Sequence, residues 1–228
     1  MNLTKPQRSI IERVINTAET GRPEGDYSAI AIYADGPNDI KQITYGRSQT
    51  TEFGNLRKLV QMYVAANGTF SGALRPYEDK VGSVPLTNNA DFKNLLRRAG
   101  KSDPVMRKMQ DEFFEKIYFS PAMKWADDNG FTKALSALVI YDSYIHSGSI
   151  LWLIRQKFSE NVPASGGNEM AWISQYIDAR HDWLQNHHRP AVRASAYRTR
   201  AYQAQIAKNN WDLGFLPFEM NGTPVSPE

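Results

Sequence analysis

The sequence contains no cysteine. This absence excludes disulfide bonds, thiolate nucleophiles and zinc sites with Cys ligands. It does not by itself choose a cellular compartment, since an exported protein can also lack cysteine. The function must therefore rest on carboxylate, amide, hydroxyl, imidazole or cationic side chains.

Long apolar runs are also missing. The sequence has no stretch of about 18 apolar residues, so no membrane-spanning helix is expected. The first residues, MNLTKPQRSIIERV, are charged and amphipathic rather than a basic start followed by an apolar block. They do not resemble a signal peptide, although a mature form, or export without cleavage, stays open.

The excess of charge of one sign is small. A formal net charge of +3 over 228 residues, with a pI near 9.0, favours polyanions only slightly. The run RASAYRTRAY mixes Arg and Tyr as nucleic-acid binders do, but it is interpreted as a solvated helix face with one arginine turned inward. We expect neither nucleic acid nor a membrane as a partner.

A helix is predicted from Thr4 to Glu19. Thr4 stands three residues before Gln7, which forms a capping box, and apolar residues follow at the helical period. Gly21 ends the pattern, so Glu19 falls on the last turn. A carboxylate is disfavoured there by the helix dipole, and its position therefore invites a functional explanation.

A hairpin is predicted next. YSAIAIYA reads as a strand, DGPND as a turn and KQITYGRSQT as the returning strand. Helical patterns dominate from Glu52 onward, and the C-terminal residues read as a tail rich in Pro and Gly. The expected protein is mostly helical with one small β-hairpin.

Asp142 lies in the segment FTKALSALVIYDSYIHSG, which is apolar on nearly all sides. Such a helix is typically buried within a protein. A lone buried charge would cost several kcal/mol, so Asp142 must be paired or neutral.

Glu19 and the aspartate Asp39 on the following hairpin suit glycoside hydrolysis. One carboxyl group must be protonated to donate to the leaving oxygen, and the other must be ionised. In an inverting enzyme they stand roughly 6.5 to 9.5 Å apart, which leaves room for the attacking water. Acidic residues this close in sequence are common, so the pair alone is weak support.

Several separated segments together resemble glycoside hydrolase family 46, the chitosanases of the lysozyme superfamily. They occur in the family's order along nearly the whole chain: NTAETG, ITYGRSQTTEFGNL, LVQMY, QDEFFEKIYFSPA, LVIYDSYIHSG and YIDAR. The resemblance implies a mainly α (α+β) fold, a single catalytic domain over residues 1–228 with two lobes across a cleft, and a small β-hairpin or sheet beside that cleft.

The resemblance also implies roles for individual residues. Glu19 matches the general acid, and Thr44 matches the threonine that helps to hold the attacking water. The base is Asp39 by its spacing from Thr44, or Asp35 if the Asp-Gly turn is the matching feature. Asn55 stands where the family usually has an acidic residue that contacts sugar.

A buried ion network is implied as well. Asp142 and Arg180 match members of a network that reaches the catalytic acid, and Arg193 or Arg198 supplies an additional arginine. Arginine is always charged and presents a planar fork that suits a carboxylate. Arg180 on the exposed side of its own helix is the competing interpretation.

The resemblance implies an endo-acting, inverting hydrolase of β-1,4 bonds in an amino-sugar polysaccharide, with chitosan favoured. Thr20 and the long hairpin depart from the family pattern at the substrate-facing rim. A basic chain with Asn55 in place of an acid also suits peptidoglycan, and a non-catalytic carbohydrate-binding protein is a third alternative. We expect no cofactor and no metal, a monomer, and an extracellular or cell-envelope location.

Overall fold

The computed structural model describes residues 1–47 and 49–228. The α-helices are α1 (Lys5–Thr20), α2 (Leu56–Ala65), α3 (Ser71–Leu74), α4 (Ala90–Ser102), α5 (Pro104–Phe114), α6 (Ser120–Asp128), α7 (Ala134–Ser147), α8 (Trp152–Arg155), α9 (Glu169–Gln185), α10 (Pro190–Ala194) and α11 (Tyr197–Ala207). The strands are β1 (Ile30–Tyr33), β2 (Gln42–Tyr45), β3 (Thr50–Thr51), β4 (Phe218–Met220) and β5 (Thr223–Val225). Short 3₁₀ turns span Pro37–Asp39, Arg75–Tyr77 and Pro163–Ser165, and a π-helical turn spans Glu115–Phe119.

Contacts divide the chain into two compact units. The first comprises residues 1–23 and 116–228, and the second comprises residues 24–115. Within the described ranges, no helix has both the length and the apolar character needed to cross a bilayer.

The second unit contains a three-stranded antiparallel sheet in the order β1-β2-β3. The predicted hairpin is confirmed, with Ile32 opposite Ile43. The returning strand is shorter than predicted, because a turn at Gly46, with φ +79°, separates β2 from β3. Ser48, which the prediction included, lies outside the described residues.

Close backbone packing anchors this sheet to α4. A Cβ at Gly100 would lie 2.1 Å from the carbonyl oxygen of Tyr27, so only glycine fits at that point of α4. The hydroxyl of Tyr45 donates to the carbonyl of Leu96, 2.7 Å away, and both Ile43 and Tyr45 are fully buried. One face of β2 is therefore fixed in the core.

Helix α7 is the central element of the first unit. It contacts α1, α6, α9 and α11, and every residue from Ala134 to Ser143 is buried. This confirms the prediction of an internal helix. Trp172 on α9 packs in the same unit against four aromatic rings, those of Trp125, Phe131, Phe158 and Tyr176.

The C-terminal segment, which the sequence analysis describes only as a tail rich in Pro and Gly, contains regular structure. Strands β4 and β5 form a second antiparallel hairpin, which packs against α1 and α11. Its turn is Asn221-Gly222, both at positive φ. Asn-Gly between apolar residues is a strong hairpin signal, and the nearby prolines obscured it.

Candidate active site

Glu19 lies on the last turn of α1. The helix begins with the predicted capping box, in which the backbone N–H of Gln7 donates to the side-chain hydroxyl of Thr4 at 3.3 Å. It ends at Gly21, whose left-handed backbone, with φ +74°, lets its N–H donate to the Thr17 carbonyl. This sharp stop fixes the position from which the Glu19 side chain leaves the helix.

Arg198 on α11 connects two carboxylates within the first unit. Its Nη1 donates to Oδ1 of Asp142 at 2.6 Å, and its Nη2 forms an ion pair with Oε1 of Glu19. Arg180 on α9 donates from Nη1 to the other oxygen of Asp142 at 2.7 Å. Four residues from four helices thus form one chain of ion pairs.

The network is closed to solvent except at one end. Asp142 is 0% exposed and the Arg198 side chain 4%, whereas the Glu19 side chain is 10% exposed. Among these side chains, Glu19 is therefore the one that a substrate can reach.

Asp142 stays ionised in this setting. Burial alone would raise its pKa, but the guanidinium groups of Arg198 and Arg180 outweigh burial and hold the pKa well below its usual range. The carboxylate is a fixed negative charge that orients both arginines.

Glu19 behaves differently although it has the same arginine partner. Burial raises its pKa above the ordinary value of 4.5, Arg198 opposes that rise, and the negative charge of Asp142 adds to it. A raised pKa widens the pH range in which Glu19 keeps its proton, and a general acid needs that proton.

His146, on the last turn of α7, stays neutral beside this network. Burial, together with the positive charges of Arg198 and Arg180, lowers its pKa to about 3. Its Nδ1 is buried without a hydrogen-bond partner in the described part of the chain.

Arg198, not Arg193, is the additional arginine. Arg193 is exposed and donates to the backbone carbonyls of His187 and His188 at 2.7 and 3.0 Å. Its position near the end of the short helix α10 turns it away from the core. The inward-facing arginine predicted in the run RASAYRTRAY is Arg198.

Thr44 lies in the sheet of the second unit. It is 3% exposed, and its hydroxyl oxygen lies 2.8 Å from Oε1 of Gln49 and 3.3 Å from the carbonyl oxygen of Ala31. The side chain is held by the protein, and its role toward water stays a prediction.

Asp35 and Asp39 both lie between β1 and β2. Asp35 follows β1 and its Oδ1 accepts a hydrogen bond from Nε2 of Gln42 at 2.9 Å. Asp39 ends the 3₁₀ turn at φ +59°, and both aspartates are exposed. Gln42 and Thr44 are two residues apart on β2, so their side chains lie on the same face of the sheet.

Asn55 is half-buried at the residue before α2, and its side chain does not cap that helix. Its predicted contact with sugar stays a prediction. Thr20, which follows Glu19, donates from its hydroxyl to the Asn16 carbonyl at 2.9 Å.

The histidines His187 and His188 contact other rings. The ring of His187 stacks on that of His188 and contacts Trp183 edge-on. Over residues 1–47 and 49–228, no group of three or more His, Cys, Asp or Glu side chains is arranged to hold a metal ion. Trp172 and Trp211 are buried, whereas Trp152 is 71% exposed.

Gln42 was missed by sequence reasoning. It is a polar residue at the start of a strand, and nothing in its local pattern shows that it would bond to Asp35. The sequence signal that indicates Gln42 is the two-residue period of side chains along β2. It places Gln42 on the same face as Thr44, two residues later.

The chain is similar in sequence to known proteins. The model of glycosyl hydrolase family 46 matches residues 14–215. A chitosanase of Bacillus subtilis (strain 168) is 29% identical over 229 residues, which cover 92% of this chain and 80% of that protein.

Solved structures show the same fold. The native chitosanase of Bacillus subtilis MY002 has a TM-score of 0.83 at 23% identity, covering 99% of this chain and 100% of that one. A chitosanase of Gynuella sunshinyii in complex with chitotetraose has a TM-score of 0.81 at 22% identity, covering 99% and 98%. The mainly helical fold predicted from the sequence is confirmed.

Proposed function

Because the chain belongs to glycosyl hydrolase family 46, we propose that it is a chitosanase that cleaves chitosan within the polymer and with inversion at the anomeric carbon. The family membership confirms the resemblance found in the sequence. The relative from Bacillus subtilis is a chitosanase, and the chitosanase structure from Gynuella sunshinyii holds chitotetraose.

The observation that carries the proposal is the ion network ending at Glu19. A glycosidic oxygen leaves readily only if it receives a proton, and the donor must keep that proton at the working pH. Burial raises the pKa of Glu19, while Arg198 and Asp142 hold its carboxyl group in one place. We therefore assign the general acid to Glu19.

The base is assigned to Asp35 in this proposal. Spacing from Thr44 favours Asp39, but Asp35 is bonded to Gln42 on the sheet face that also carries Thr44. A base must be oriented toward the attacking water, and the hydrogen bond from Gln42 gives the Asp35 carboxylate a defined orientation.

The test is the release of reducing ends from chitosan, with the wild type compared with Glu19→Gln. We expect activity in the wild type and its loss in the variant. Proton NMR of the first product formed should show the α-anomer if the β-linked substrate reacts with inversion. A wild-type protein without turnover on chitosan would overturn the proposal.

Purified peptidoglycan is the second substrate in the same assay. It shares the amino-sugar backbone but carries carboxylates, which would suit the basic chain. Hydrolysis of peptidoglycan alone would identify a muramidase instead, and saturable binding of either polymer without product would identify a binding protein.

We also propose an extracellular or cell-envelope location, because a polymeric polysaccharide does not enter cells. Immunodetection in culture medium, envelope and cytoplasmic fractions tests this. Accumulation of the active protein in the cytoplasmic fraction alone would contradict it.

A further inference from the structure

We propose that Gln42 is a positioning residue that orients Asp35 as the base of the hydrolysis. The inference rests on the proposed function. It adds a role for a neutral side chain that acts through Asp35.

Both ends of the Gln42 amide are occupied. Oε1 accepts the backbone N–H of Phe53 at 3.1 Å, and Nε2 donates to Oδ1 of Asp35 at 2.9 Å. Rotating the amide by half a turn would set its NH₂ group against the N–H of Phe53, so the backbone bond decides which atom meets Asp35. Gln42 is also only 5% exposed, which holds its rotamer by packing.

The sheet supplies the fixed frame for this contact. Gln42 is the first residue of β2 and lies opposite Tyr33 on β1, two residues before Asp35. Phe53 comes two residues after β3. The side-chain amide of Gln42, at the start of β2, is therefore bonded both to Phe53, which follows β3, and to Asp35, which follows β1.

The bond leaves one carboxylate oxygen of Asp35 for chemistry. Oδ1 is engaged by Gln42, and Oδ2 has no hydrogen-bond partner within residues 1–47 and 49–228. Two oxygens on a rigid carboxylate point in different directions, so fixing the first also fixes the second.

A neutral partner suits a base better than a cation. An amide N–H favours the ionised carboxylate but adds no positive charge, whereas an arginine would depress the basicity of the group strongly. Asp142, with two arginines, shows the second case in this same protein.

Other charged groups near Asp35 in the chain do not duplicate the contact. Asp39 and Lys41 belong to the exposed turn between β1 and β2. Glu52, beyond β3, is fully buried, and its two oxygens accept the backbone N–H groups of Ile43 and Leu86.

Gln42→Glu is the decisive variant. It keeps an acceptor for the N–H of Phe53, so the sheet contact survives, but it places a second carboxylate against Asp35. Two adjacent carboxylates resist simultaneous ionisation, so the acid limb of the pH profile of kcat should move upward by about one pH unit or more. Activity should return as the pH rises, and KM should change less than about 3-fold.

Gln61→Glu is the matched control, because Gln61 is exposed on α2 of the same unit and the charge change is identical. Its acid limb should coincide with that of the wild type. Gln42→Met, which removes the donor without adding charge, should lower kcat at every pH.

The outcomes separate this inference from the proposed function. If Asp35→Asn is inactive and the Gln42→Glu profile coincides with that of the wild type, Gln42 has no positioning role. If Asp35→Asn stays active on chitosan, Asp35 is not the base and the inference fails with it, while Glu19 and the chitosanase assignment stand. A pH-independent loss in Gln42→Glu that follows a lowered Tm would show a purely structural role.

Discussion

Arg198 holds Asp142 by a 2.6 Å hydrogen bond between Nη1 and Oδ1, and both side chains are almost completely buried. The same guanidinium group also pairs with Glu19. The geometry of the proposed acid is therefore controlled by a charge pair that never meets the substrate.

Glu19→Gln should abolish hydrolysis with little effect on folding. The amide cannot donate a proton to the leaving oxygen, so we expect kcat to fall by about 10³-fold. Gln resembles the protonated Glu in shape, and Tm should stay within about 2 °C of the wild type. Glu12→Gln on the same helix is the control and should keep full activity on chitosan; equal activity in Glu19→Gln would remove Glu19 from the mechanism.

Arg198→Met should lower both stability and activity. It removes one of the two cations bonded to Asp142 and the partner of Glu19, and breaking a buried pair costs about 3 kcal/mol or more. Urea unfolding measures the decrease in the free energy of unfolding. Arg193→Met is the matched control at an exposed site and should cost less than about 1 kcal/mol. Equal losses in the two variants would contradict the assignment of Arg198 to the network.

Asp142→Asn should change how stability depends on acidity. The pKa of Asp142 is lowered in the folded state, so its contribution is complete above the unfolded value of 3.8 and is lost as the pH falls below it. The difference in unfolding free energy between wild type and Asp142→Asn should be largest near neutral pH and shrink below about pH 4. A constant difference down to pH 2 would mean that the pKa is not lowered.

Glu19 should show the opposite slope. Its pKa is raised in the folded state, so the wild type gains stability relative to Glu19→Gln as the pH falls toward the unfolded value of 4.5. That gain disappears as the pH rises through the folded pKa. Unfolding curves of both proteins between pH 4 and 8 measure it, and parallel curves would argue against a raised pKa.

His146 should remain neutral across the working range. With its pKa lowered to about 3, its ring protons should give constant NMR shifts between pH 5 and 8. In the unfolded chain it takes a proton near its ordinary value of 6.5, so its contribution to stability falls as the pH drops below that value. A titration of the folded protein centred near pH 6.5 would show that His146 is not enclosed by the network.

Local signals in the sequence predicted much of this arrangement. The capping box placed α1, and Gly21 placed Glu19 on its last turn. The uniformly apolar α7 required a partner for Asp142, and the pair with Arg180 is present. Each of these inferences depends on a local pattern, either a helix start or stop signal or a charged residue within an apolar helix, that a short stretch of sequence reveals.

Other features depend on contacts between distant residues. Arg193 and Arg198 are equally plausible until the break between α10 and α11 turns one outward and the other inward. Gln42 has no periodic signal, and its bond to Asp35 requires the register of three strands. Spacing from Thr44, which does not include that register, favours Asp39, and the choice between the two aspartates stays a prediction.

The division of the chain into units has a consequence for how the protein is made. Residues 24–115 form one unit from continuous sequence, so this unit can fold while the rest is still being synthesised. Glu19 is translated before this unit, but its partner Arg198 follows 179 residues later, and Asp142 and Arg180 also come after the whole second unit. Synthesis must therefore pass Arg198 before the acid acquires its partners, and chains that terminate before Arg198 should be inactive even where their sheet is folded.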